Sequence, residues 1–502
     1  MPCMDFLTLL STGSNSCGQL GIGNIDDVHR FTPCIFRGAA LGSLPEHVVG
    51  IEQIACGGNH TLALLRTDDG KTKLWGCGDG RKGQLGPSYT SEVREKAENA
   101  AVFRRLDLGA HLERAGILSG ISEEYNTRLV AAGWETTYAV LSYPNRSDVL
   151  LSMGSDDYGN LGVDTNTQRT RHDIYVVDLR RAVRASDDSM STITILSLAA
   201  GPHHTIVHVR LRDPDGSSVT YFAGWALGRH HTVYMQTSGK LVGLGSNRKG
   251  QLDELSTLDD VEQVGCTWNG TYALLRSGTV VATGSNTHSQ LGRGPTVLVP
   301  QSALQPVAFL FSSKTHRVAS LVCGSEHVLC LVDAGQHGLH REVWGWGWNE
   351  HGNLGTGGTA DTDVPLRVWP PASSAASCAN ADADDSTTSR EGSGNQRHGD
   401  VLNVWAGCGT SWILVRKLGL WIVHRTDHVV SGALVAHITA DASYSCPAAV
   451  SGVSEPIRAI NDIRYDAALC VDKAVEQGFA AALHTHYQDS AAAYAYTANF
   501  NI

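Results

Sequence analysis

Two short glycine-rich motifs alternate along residues 6–416 and constrain the fold more than any other feature of the sequence. The first, the glycine-turn motif, joins apolar–Gly–small–Asn/Asp to Gly-Gln/Asn-Leu-Gly, and its copies span Ser11–Gly21, Trp75–Gly86, Met153–Gly162, Leu244–Leu252, Thr283–Gly292 and Trp344–Gly355. The second, the Gly-His-Thr motif, reads small–Gly–two residues–polar–Thr/Ser before an apolar run, and its copies span Ala55–Leu64, Ala132–Val140, Ala200–Val207, Gly265–Leu274, Cys323–Leu329 and Ala406–Leu414. Such recurrence indicates a fold assembled from one repeated supersecondary unit.

The fourth unit differs from the others. Tyr221–His230 begins like a glycine-turn motif and runs directly into His231–Met235, which matches the end of a Gly-His-Thr motif. When this fused copy is counted, each motif occurs seven times. We therefore predict a ring of seven units, in which the fourth is shortened.

Each unit is predicted to form one antiparallel sheet, because its apolar runs are short and rich in β-branched and aromatic residues. Glycines at fixed offsets permit tight turns, and the leucine of Gly-Gln-Leu-Gly is expected to bury itself and hold each turn to its sheet. A single sheet cannot bury both of its faces, whereas sheets arranged radially cover each other. The sequence therefore predicts an all-β, seven-bladed β-propeller with loop insertions. An open β-solenoid is the alternative.

Composition limits the classes of partner. The formal charge is −11, so we expect neither a chain-wide basic surface nor direct nucleic-acid binding. No run of 18 uncharged apolar residues occurs, and the N-terminus lacks the pattern of a secretion signal, so we expect no membrane association. The 12 cysteines include no C-x-x-C pair, which favours reduced thiols in a cytoplasmic or nuclear protein.

No catalytic signature is present, so we expect a protein that is not an enzyme and that holds no cofactor and no metal. The glycines of Gly76–Gly80 resemble a phosphate loop but lie in a repeat turn. His60, His204, His231 and His327 recur at equivalent positions, and we interpret them as structural groups that hydrogen-bond turn backbone. Trp344, Trp346 and Trp348 alternate with other residues, and we expect them to pack between blades.

A group of residues around the shortened unit departs from the repeat pattern. Large aromatic side chains and arginine are frequent anchors of protein interfaces, and loops on a rigid scaffold are common binding sites. We predict that the partner-binding residues are Trp225, Arg229, His230, Trp268, Asn269 and Tyr272. The alternative is that these residues only pack around a shortened blade.

The repeated Gly-Gln-Leu-Gly and Gly-x-x-His-Thr segments resemble the repeats of the regulator of chromosome condensation family over residues 6–416. That resemblance implies a seven-bladed propeller in which the strand Phe6–Thr12 helps to close the last blade. Three segments, Gly13–Gly23, Gly224–His230 and Cys266–Tyr272, are similar to the fungal alpha-tubulin suppressor proteins. This similarity implies a small CSL zinc protein as partner, with roles in diphthamide synthesis and in Elongator-dependent modification of the tRNA wobble uridine.

A rival function within the same family is guanine-nucleotide exchange on a Ran-like small GTPase. The family's exchange factor also binds chromatin through a basic N-terminal extension. Here the first repeat starts almost at residue 1 and the net charge is −11, so chromatin docking finds little support in the sequence.

We divide the chain into a propeller, residues 1–416, and a non-repeat extension, residues 417–502. Residues 372–399 are rich in Ser, Ala, Asp, Thr and Gly and are expected to form a disordered insertion in the last blade. The extension contains neither motif and is expected to be poorly ordered. The alternative is an appended segment that binds a partner.

Overall fold

The computed structural model describes the propeller strands and several short segments outside them. The described residues are 5–87, 89, 101–114, 125–163, 174–182, 192–212, 222–294, 303–335, 340–371, 399–418, 421–423, 438–440 and 495–497. Within them the fold is built from antiparallel strands, as the repeats predict.

Six sheets, here called blades 1 to 6, consist of three or four neighbouring strands each, ordered below from the inside of the ring outward. Blades 1 to 3 contain β3 (Val48–Cys56), β4 (His60–Thr67), β5 (Thr72–Gly78), β6 (Arg104–Arg105); β7 (Asn126–Ala132), β8 (Thr136–Ser142), β9 (Val149–Gly154), β10 (Ile174–Val176); and β13 (Phe222–Leu227), β14 (His231–Gln236), β15 (Leu241–Gly245). Blades 4 and 5 contain β16 (Val261–Cys266), β17 (Gly270–Leu275), β18 (Val280–Gly284), β19 (Gln305–Pro306); and β20 (His316–Cys323), β21 (His327–Ala334), β22 (His340–Gly347), β23 (Thr362–Trp369).

Blade 6 closes the ring with strands from both ends of the repeat region. It contains β24 (Asp400–Ala406), β25 (Thr410–Leu418), β1 (Asp5–Gly13) and β2 (Val28–Pro33). β1 pairs with β25 without a break, from Asp5 opposite Leu418 to Gly13 opposite Thr410. The prediction that Phe6–Thr12 closes the last blade is confirmed.

The seven-blade count is not confirmed, because the chain between blades 2 and 3 supplies only a hairpin, β11 (Thr192–Ala200) and β12 (Thr205–Arg212). The third strand of this sheet is β28 (Ala495–Thr497), which pairs with Ile206–His208. Gly228 follows Gly201 by 27 residues, which leaves too little chain for the outer strands of a blade. We call β11 and β12 the short hairpin.

The fourth unit is shortened for a different reason than the sequence indicated. Phe222–Leu227 does not begin a glycine turn but forms the innermost strand of blade 3, where Leu227 pairs with Thr232. Gly228 and His231 therefore belong to one Gly-His-Thr motif. The glycine-turn motif that should precede it is the missing part, so the prediction of seven glycine-turn motifs is corrected to six among the described residues.

The remaining elements are short. α1 (Leu108–Arg114) and α2 (Leu179–Ala182) lie in insertions after β6 and β10, and a 3₁₀ turn spans Leu255–Thr257. β26 (Trp421–Val423) pairs with β27 (Ile438–Ala440). Residues 372–398 of the expected insertion lie outside the described residues, and the boundary at 416 stays a prediction.

The core lies between neighbouring blades, as in any ring of sheets that cover each other. Phe36 and Phe103 stack at 4.9 Å between ring centroids, and Trp412 of blade 6 approaches Phe103 to 6.0 Å. Trp346 is fully buried and its indole N–H donates to the Gln290 carbonyl O at 2.8 Å. Trp344 packs against Phe311 at 5.0 Å, so the packing role is confirmed for these two tryptophans.

The described helices include none that is both long and apolar enough to cross a membrane. All eight cysteines in the described part of the chain are free thiols, and burial raises the pKa of Cys56 and Cys266 to about 12.

Candidate functional site

The loops that join the first and second strands of each sheet meet around the axis at one end of the ring. We call them the inner loops; they are 57–59, 133–135, 201–204, 228–230, 267–269, 324–326 and 407–409. Hydrogen bonds from backbone N–H groups to backbone carbonyls join inner loops of neighbouring sheets. With the donor first, they are Gly58 to Trp134 at 2.8 Å, Trp134 to Pro202 at 3.3 Å, Arg229 to Trp268 at 3.0 Å, Trp268 to Ser325 at 2.7 Å and Ser325 to Gly407 at 3.1 Å. The series is interrupted after Pro202, which has no N–H to donate.

The glycine turns lie at the same end of the ring and support the inner loops. The N–H groups of Asp79, Ser155 and Ser246 donate to the carbonyls of Asn59, Glu135 and His230, at 2.7 to 2.9 Å. Within five of the six described turns, an Asn or Asp side-chain oxygen accepts the N–H of the motif leucine, as from Leu354 to Asn349 at 2.8 Å. The inner loops and glycine turns together form one surface, which we call the loop face.

The four recurring histidines are structural, and each of them bridges to the next sheet. Nε2 of His60, His204, His231 and His327 lies 2.9, 2.8, 3.2 and 3.0 Å from the hydroxyl oxygen of Thr137, Thr232, Thr271 and Ser411 in the next sheet. Burial lowers the pKa of each imidazole to about 4, so all four are neutral at pH 7.

Three of the predicted binding residues meet on the loop face. Arg229 and His230 are exposed in the inner loop of blade 3, and Trp268 is half-buried in that of blade 4. The Arg229 guanidinium carbon lies 5.6 Å from the centroid of the Trp268 ring, in range for a cation–π contact. Asn269 is adjacent, and its amide donates to Glu326 Oε1 at 2.7 Å.

The other two predicted residues lie elsewhere. Trp225 is on β13, where its ring is 6.2 Å from His208 of the short hairpin and 5.4 Å from Tyr234. Tyr272 is fully buried on β17, and its hydroxyl donates to the Gln290 carbonyl at 2.8 Å. Tyr272 therefore has no surface to offer a partner and is not part of the loop face.

The structure adds three aromatic residues to this surface. Trp134, 37% exposed, lies 5.9 Å from Trp268, and Tyr158, 50% exposed, lies 4.5 Å from His203. His203 in turn stacks with His230 at 5.6 Å. The result is a set of side chains across the mouth of the ring that we call the aromatic arc: Trp134, Tyr158, His203, Arg229, His230 and Trp268.

Two of these residues stand at equivalent positions of the repeat. Trp134 and Trp268 both follow the first residue of an inner loop, Gly133 and Thr267, so the repeat alignment places them as equivalents. Tyr158 comes from a glycine turn, and no feature of the sequence indicates that it meets His203.

The described residues contain no cluster of three His, Cys, Asp or Glu side chains that could hold a metal ion. A cavity of about 380 Å³ lies at the end opposite the loop face and is lined by Lys71, Lys73, Arg105, Asp107 and Tyr125 among others. The pKa of Lys73 is lowered by burial and by the nearby cations Arg105 and Lys71. This mixed-charge cavity is distant from the aromatic arc.

Family models match several parts of the chain. The Regulator of chromosome condensation (RCC1) repeat matches residues 8–64, 277–331 and 342–380, and a second model of the same repeat matches residues 51–84. These matches include β1 and β2 of the closing blade, most of blade 1, β18 and β19 of blade 4, and blade 5.

Several curated proteins match this chain at low sequence identity. The ultraviolet-B receptor UVR8 of Arabidopsis thaliana is 26% identical over 373 residues, which are 72% of this chain and 65% of the receptor. The secretion-regulating guanine nucleotide exchange factor of Mus musculus is 26% identical over 416 residues, 73% of this chain and 80% of that protein. An RCC1 repeat-containing protein of Schizosaccharomyces pombe is 26% identical over 369 residues, 69% of this chain and 88% of that protein.

Solved structures agree on the fold. Human WBSCR16 superimposes with a TM-score of 0.55 at 18% identity, covering 82% of this chain and 99% of that one. Prp20p from Saccharomyces cerevisiae, which was studied for binding to Gsp1p and histones, gives a TM-score of 0.55 at 17% identity and covers 82% of this chain and 91% of that one.

Proposed function

The chain belongs to the regulator of chromosome condensation repeat family, and on that premise we propose that it is a non-enzymatic propeller that binds a protein partner through its loop face, in the cytoplasm or nucleus. The observation that carries this proposal is the aromatic arc. Exposed tryptophan, tyrosine and arginine side chains lie side by side there on loops whose backbones are hydrogen-bonded to each other. Tryptophan, tyrosine and arginine are the residues that most often dominate binding energy at protein interfaces.

The rigidity of the loop face favours binding. Each inner loop is fixed at its base by strand pairing, and five of the interloop hydrogen bonds join neighbouring sheets. A surface that is already ordered loses little conformational entropy when a partner binds. In this proposal the ring holds the inner loops in place, and the aromatic arc contacts the partner.

For the partner we propose a small CSL zinc protein, which would place the propeller as an accessory factor in diphthamide synthesis and Elongator-dependent tRNA modification. The support is the similarity of Gly13–Gly23, Gly224–His230 and Cys266–Tyr272 to the fungal alpha-tubulin suppressor proteins. Arg229, His230, Trp268 and Asn269 of the loop face fall inside the last two of these segments.

The alternative function is guanine-nucleotide exchange on a Ran-like small GTPase. Its support is the mouse relative named as a secretion-regulating guanine nucleotide exchange factor and the fold shared with Prp20p. Both alternatives use the propeller as a docking surface, so they differ in the partner rather than in the architecture.

Affinity purification of the full chain with mass spectrometry tests the docking function. We expect a specific partner that is lost from the double variant Arg229→Ala/Trp268→Ala and kept by Lys314→Ala, an exposed change in the loop before β20 at the opposite end. Recovery of the same partner from all three proteins would contradict the loop face as the docking surface.

The identity of the recovered protein separates the two partners. A CSL zinc protein or Elongator subunits support the accessory role. A small GTPase, together with faster release of its bound nucleotide on addition of the full chain, supports the exchange function instead.

A further inference from the structure

Three basic side chains, one in the aromatic arc and two beside it, differ from the cations of the other glycine turns. Arg229, Arg248 and Lys249, here called the basic rim, are exposed, and the described residues give none of them an acidic partner. Arg248 and Lys249 lie in the glycine turn of blade 3, which is held against the inner loop by the Ser246 N–H donating to the His230 carbonyl at 2.8 Å. The rim is therefore continuous with the arc.

Cations on the other glycine turns are neutralised by neighbours within the chain. Arg81 binds Asp79 at 2.7 Å, and Lys82 lies 3.9 Å from both Glu135 and Asp157. In blades 4 and 5 the turn histidines also have acidic neighbours, as His351 lies 2.7 Å from Asp27. Among the turns that the structure describes, only that of blade 3 presents an exposed arginine and an exposed lysine that form no ion pair with an acidic side chain.

Basic side chains are concentrated at this part of the loop face, although the whole chain is acidic. The chain carries a formal charge of −11, yet Arg229, His203 and His230 crowd together. The pKa of His203 is lowered first by burial and then by the nearby His230 and Arg229. Of the acidic residues near the arc, Glu135 and Asp157 lie near Lys82, Glu326 accepts hydrogen bonds from the Asn269 and Gln290 amides, and Asp253 accepts one from the Asn247 amide. By charge complementarity, we expect the negatively charged groups of a ligand to bind at the basic rim on blade 3.

The two tryptophans of the arc, Trp134 and Trp268, provide a place for an apolar part of the ligand. Trp134 and Trp268 are 5.9 Å apart, and Trp134 is 37% exposed. The two neighbouring indole rings, inclined at 57° to each other, provide an apolar surface, here called the platform, for an aromatic or branched aliphatic side chain. Platform and rim are joined through Arg229, whose guanidinium carbon lies 5.6 Å from the Trp268 centroid.

We propose that the loop face recognises an acidic, extended peptide segment of its partner, with carboxylates on the basic rim and one large apolar side chain on the Trp134–Trp268 platform. This inference rests on the proposed docking function and names the chemistry that the partner must carry. Pairing of arginine with carboxylates adds geometric specificity to the electrostatic attraction. The attraction should also accelerate association at low salt.

The test uses the full chain and a fluorescent 12-residue peptide in which glutamates flank a central Leu-Trp pair, with anisotropy as the readout. We expect binding that weakens at least tenfold in the double variant Arg248→Glu/Lys249→Glu and at least fivefold between 50 and 300 mM salt. Lys314→Glu, a charge reversal at the opposite end, is the matched control and should bind as the unaltered chain does. Arg248→Gln/Lys249→Gln replaces the reversal if that variant does not fold.

Three outcomes overturn the inference. They are no binding of the acidic peptide, equal binding by the rim variant, and equal binding of an RNA oligonucleotide of the same charge. Failure of the inference is separable from failure of the docking function. A partner that is lost with Arg229→Ala/Trp268→Ala but retained by Arg248→Glu/Lys249→Glu keeps the docking function and removes the acidic segment.

Discussion

One position in each inner loop decides how neighbouring sheets are joined. His60, His204, His231 and His327 reach a hydroxyl in the next sheet, while Thr136, Gly270 and Thr410 hold the same place elsewhere. An imidazole can span this gap because a glycine three residues earlier leaves room for its ring. The histidine therefore links two sheets through a hydrogen bond and is also a buried titratable group.

Buried neutral histidines make the stability depend on pH. Because the folded-state pKa is lowered to about 4 from 6.5, the unfolded chain takes up protons first on acidification. Stability is therefore complete above about pH 6.5 and is lost as the pH falls toward 4, by roughly 3 kcal/mol for a histidine as buried as His327. We expect His327→Gln to be less stable at pH 7 and to lose stability less steeply on acidification.

Urea unfolding at pH 7, 5.5 and 4.5 measures this effect. The matched control is His47→Gln, because His47 is exposed and its pKa is raised by Asp68. An unchanged pH dependence in His327→Gln would show that this imidazole is not a buried neutral group.

The glycine three residues before each histidine is part of the same arrangement, because it leaves room for the imidazole ring. A Cβ on Gly324 would overlap Cε1 of His327 and approach the Gly407 carbonyl to 2.6 Å, whereas a Cβ on Gly358 would meet nothing within 4 Å. We expect Gly324→Ala to lower the free energy of unfolding by about 1–3 kcal/mol or more, as overpacking does, and Gly358→Ala to leave it unchanged. Chemical denaturation compares the two; equal stability of both variants contradicts the packing described.

At this scale the sequence located some of the site and missed the rest. Arg229, His230 and Trp268 stood out because they depart from the repeat pattern. Tyr158 and His203 were missed because their contact joins a turn of one sheet to a loop of the next. Tyr272 also departs from the pattern, but its side chain points into the core between blades, and the direction of a side chain on a strand could not be told from the motif alone.

The glycine turn is the element that repeats most closely, yet its copies are not equally buried. Asn349 is fully buried, and its amide donates to the carbonyls of Gly358 and Ala360 while its Oδ1 accepts the Leu354 N–H. Asn247 accepts the Leu252 N–H in the same way but is exposed to water. Equivalent residues of the motif therefore differ in whether water can replace their hydrogen bonds.

This difference predicts unequal effects of one substitution. Asn349→Ala leaves the buried Leu354 N–H without a partner and removes the bonds to the Gly358 and Ala360 carbonyls, and we expect it to cost about 2–4 kcal/mol of folding free energy. Asn247→Ala lets water take over, so about 1 kcal/mol or less is expected. Urea midpoints of the two variants make the comparison, and equal losses would contradict the role of burial.

The sequence predicted the turns and the closing strand correctly but misread the fourth unit. Phe222–Leu227 resembles the apolar–Gly start of a glycine turn because inner strands and turn strands share the same apolar and small residues. Only the spacing of Gly228 and His231 separates the two interpretations, and pairing of Leu227 with Thr232 decides between them. When two strands have the same sequence pattern, a local motif does not show which of the two is missing.

For the whole molecule, the ring depends on a single sheet that combines both ends of the repeat region. β1 and β25 pair along their full length, and Leu9 and Trp412 lie in the same core cluster as residues of blade 1. Closure of this sheet covers the inner face of blade 1 and the outer strands of blade 5. A defect here should therefore weaken every blade together.

Leu9→Ala tests that coupling. Leu9 is buried, and we expect the variant to lose about 2–5 kcal/mol in one transition that fluorescence and circular dichroism report at the same urea concentration. Ile25→Ala, at a residue 53% exposed, is the control and should unfold as the unaltered chain does. Separate transitions for the two probes would contradict a ring that unfolds as one unit.

The pairing of β1 with β25 also sets an order on biosynthesis. β1 is translated before its partner β25, which begins at Thr410, about 400 residues later. At roughly 5–20 residues per second the first strand waits on the order of 20–80 s with its hydrogen-bonding edge uncovered. The nascent chain is thus a row of finished sheets with an open strand at its front, and its need for chaperones should peak just before the last sheet is translated.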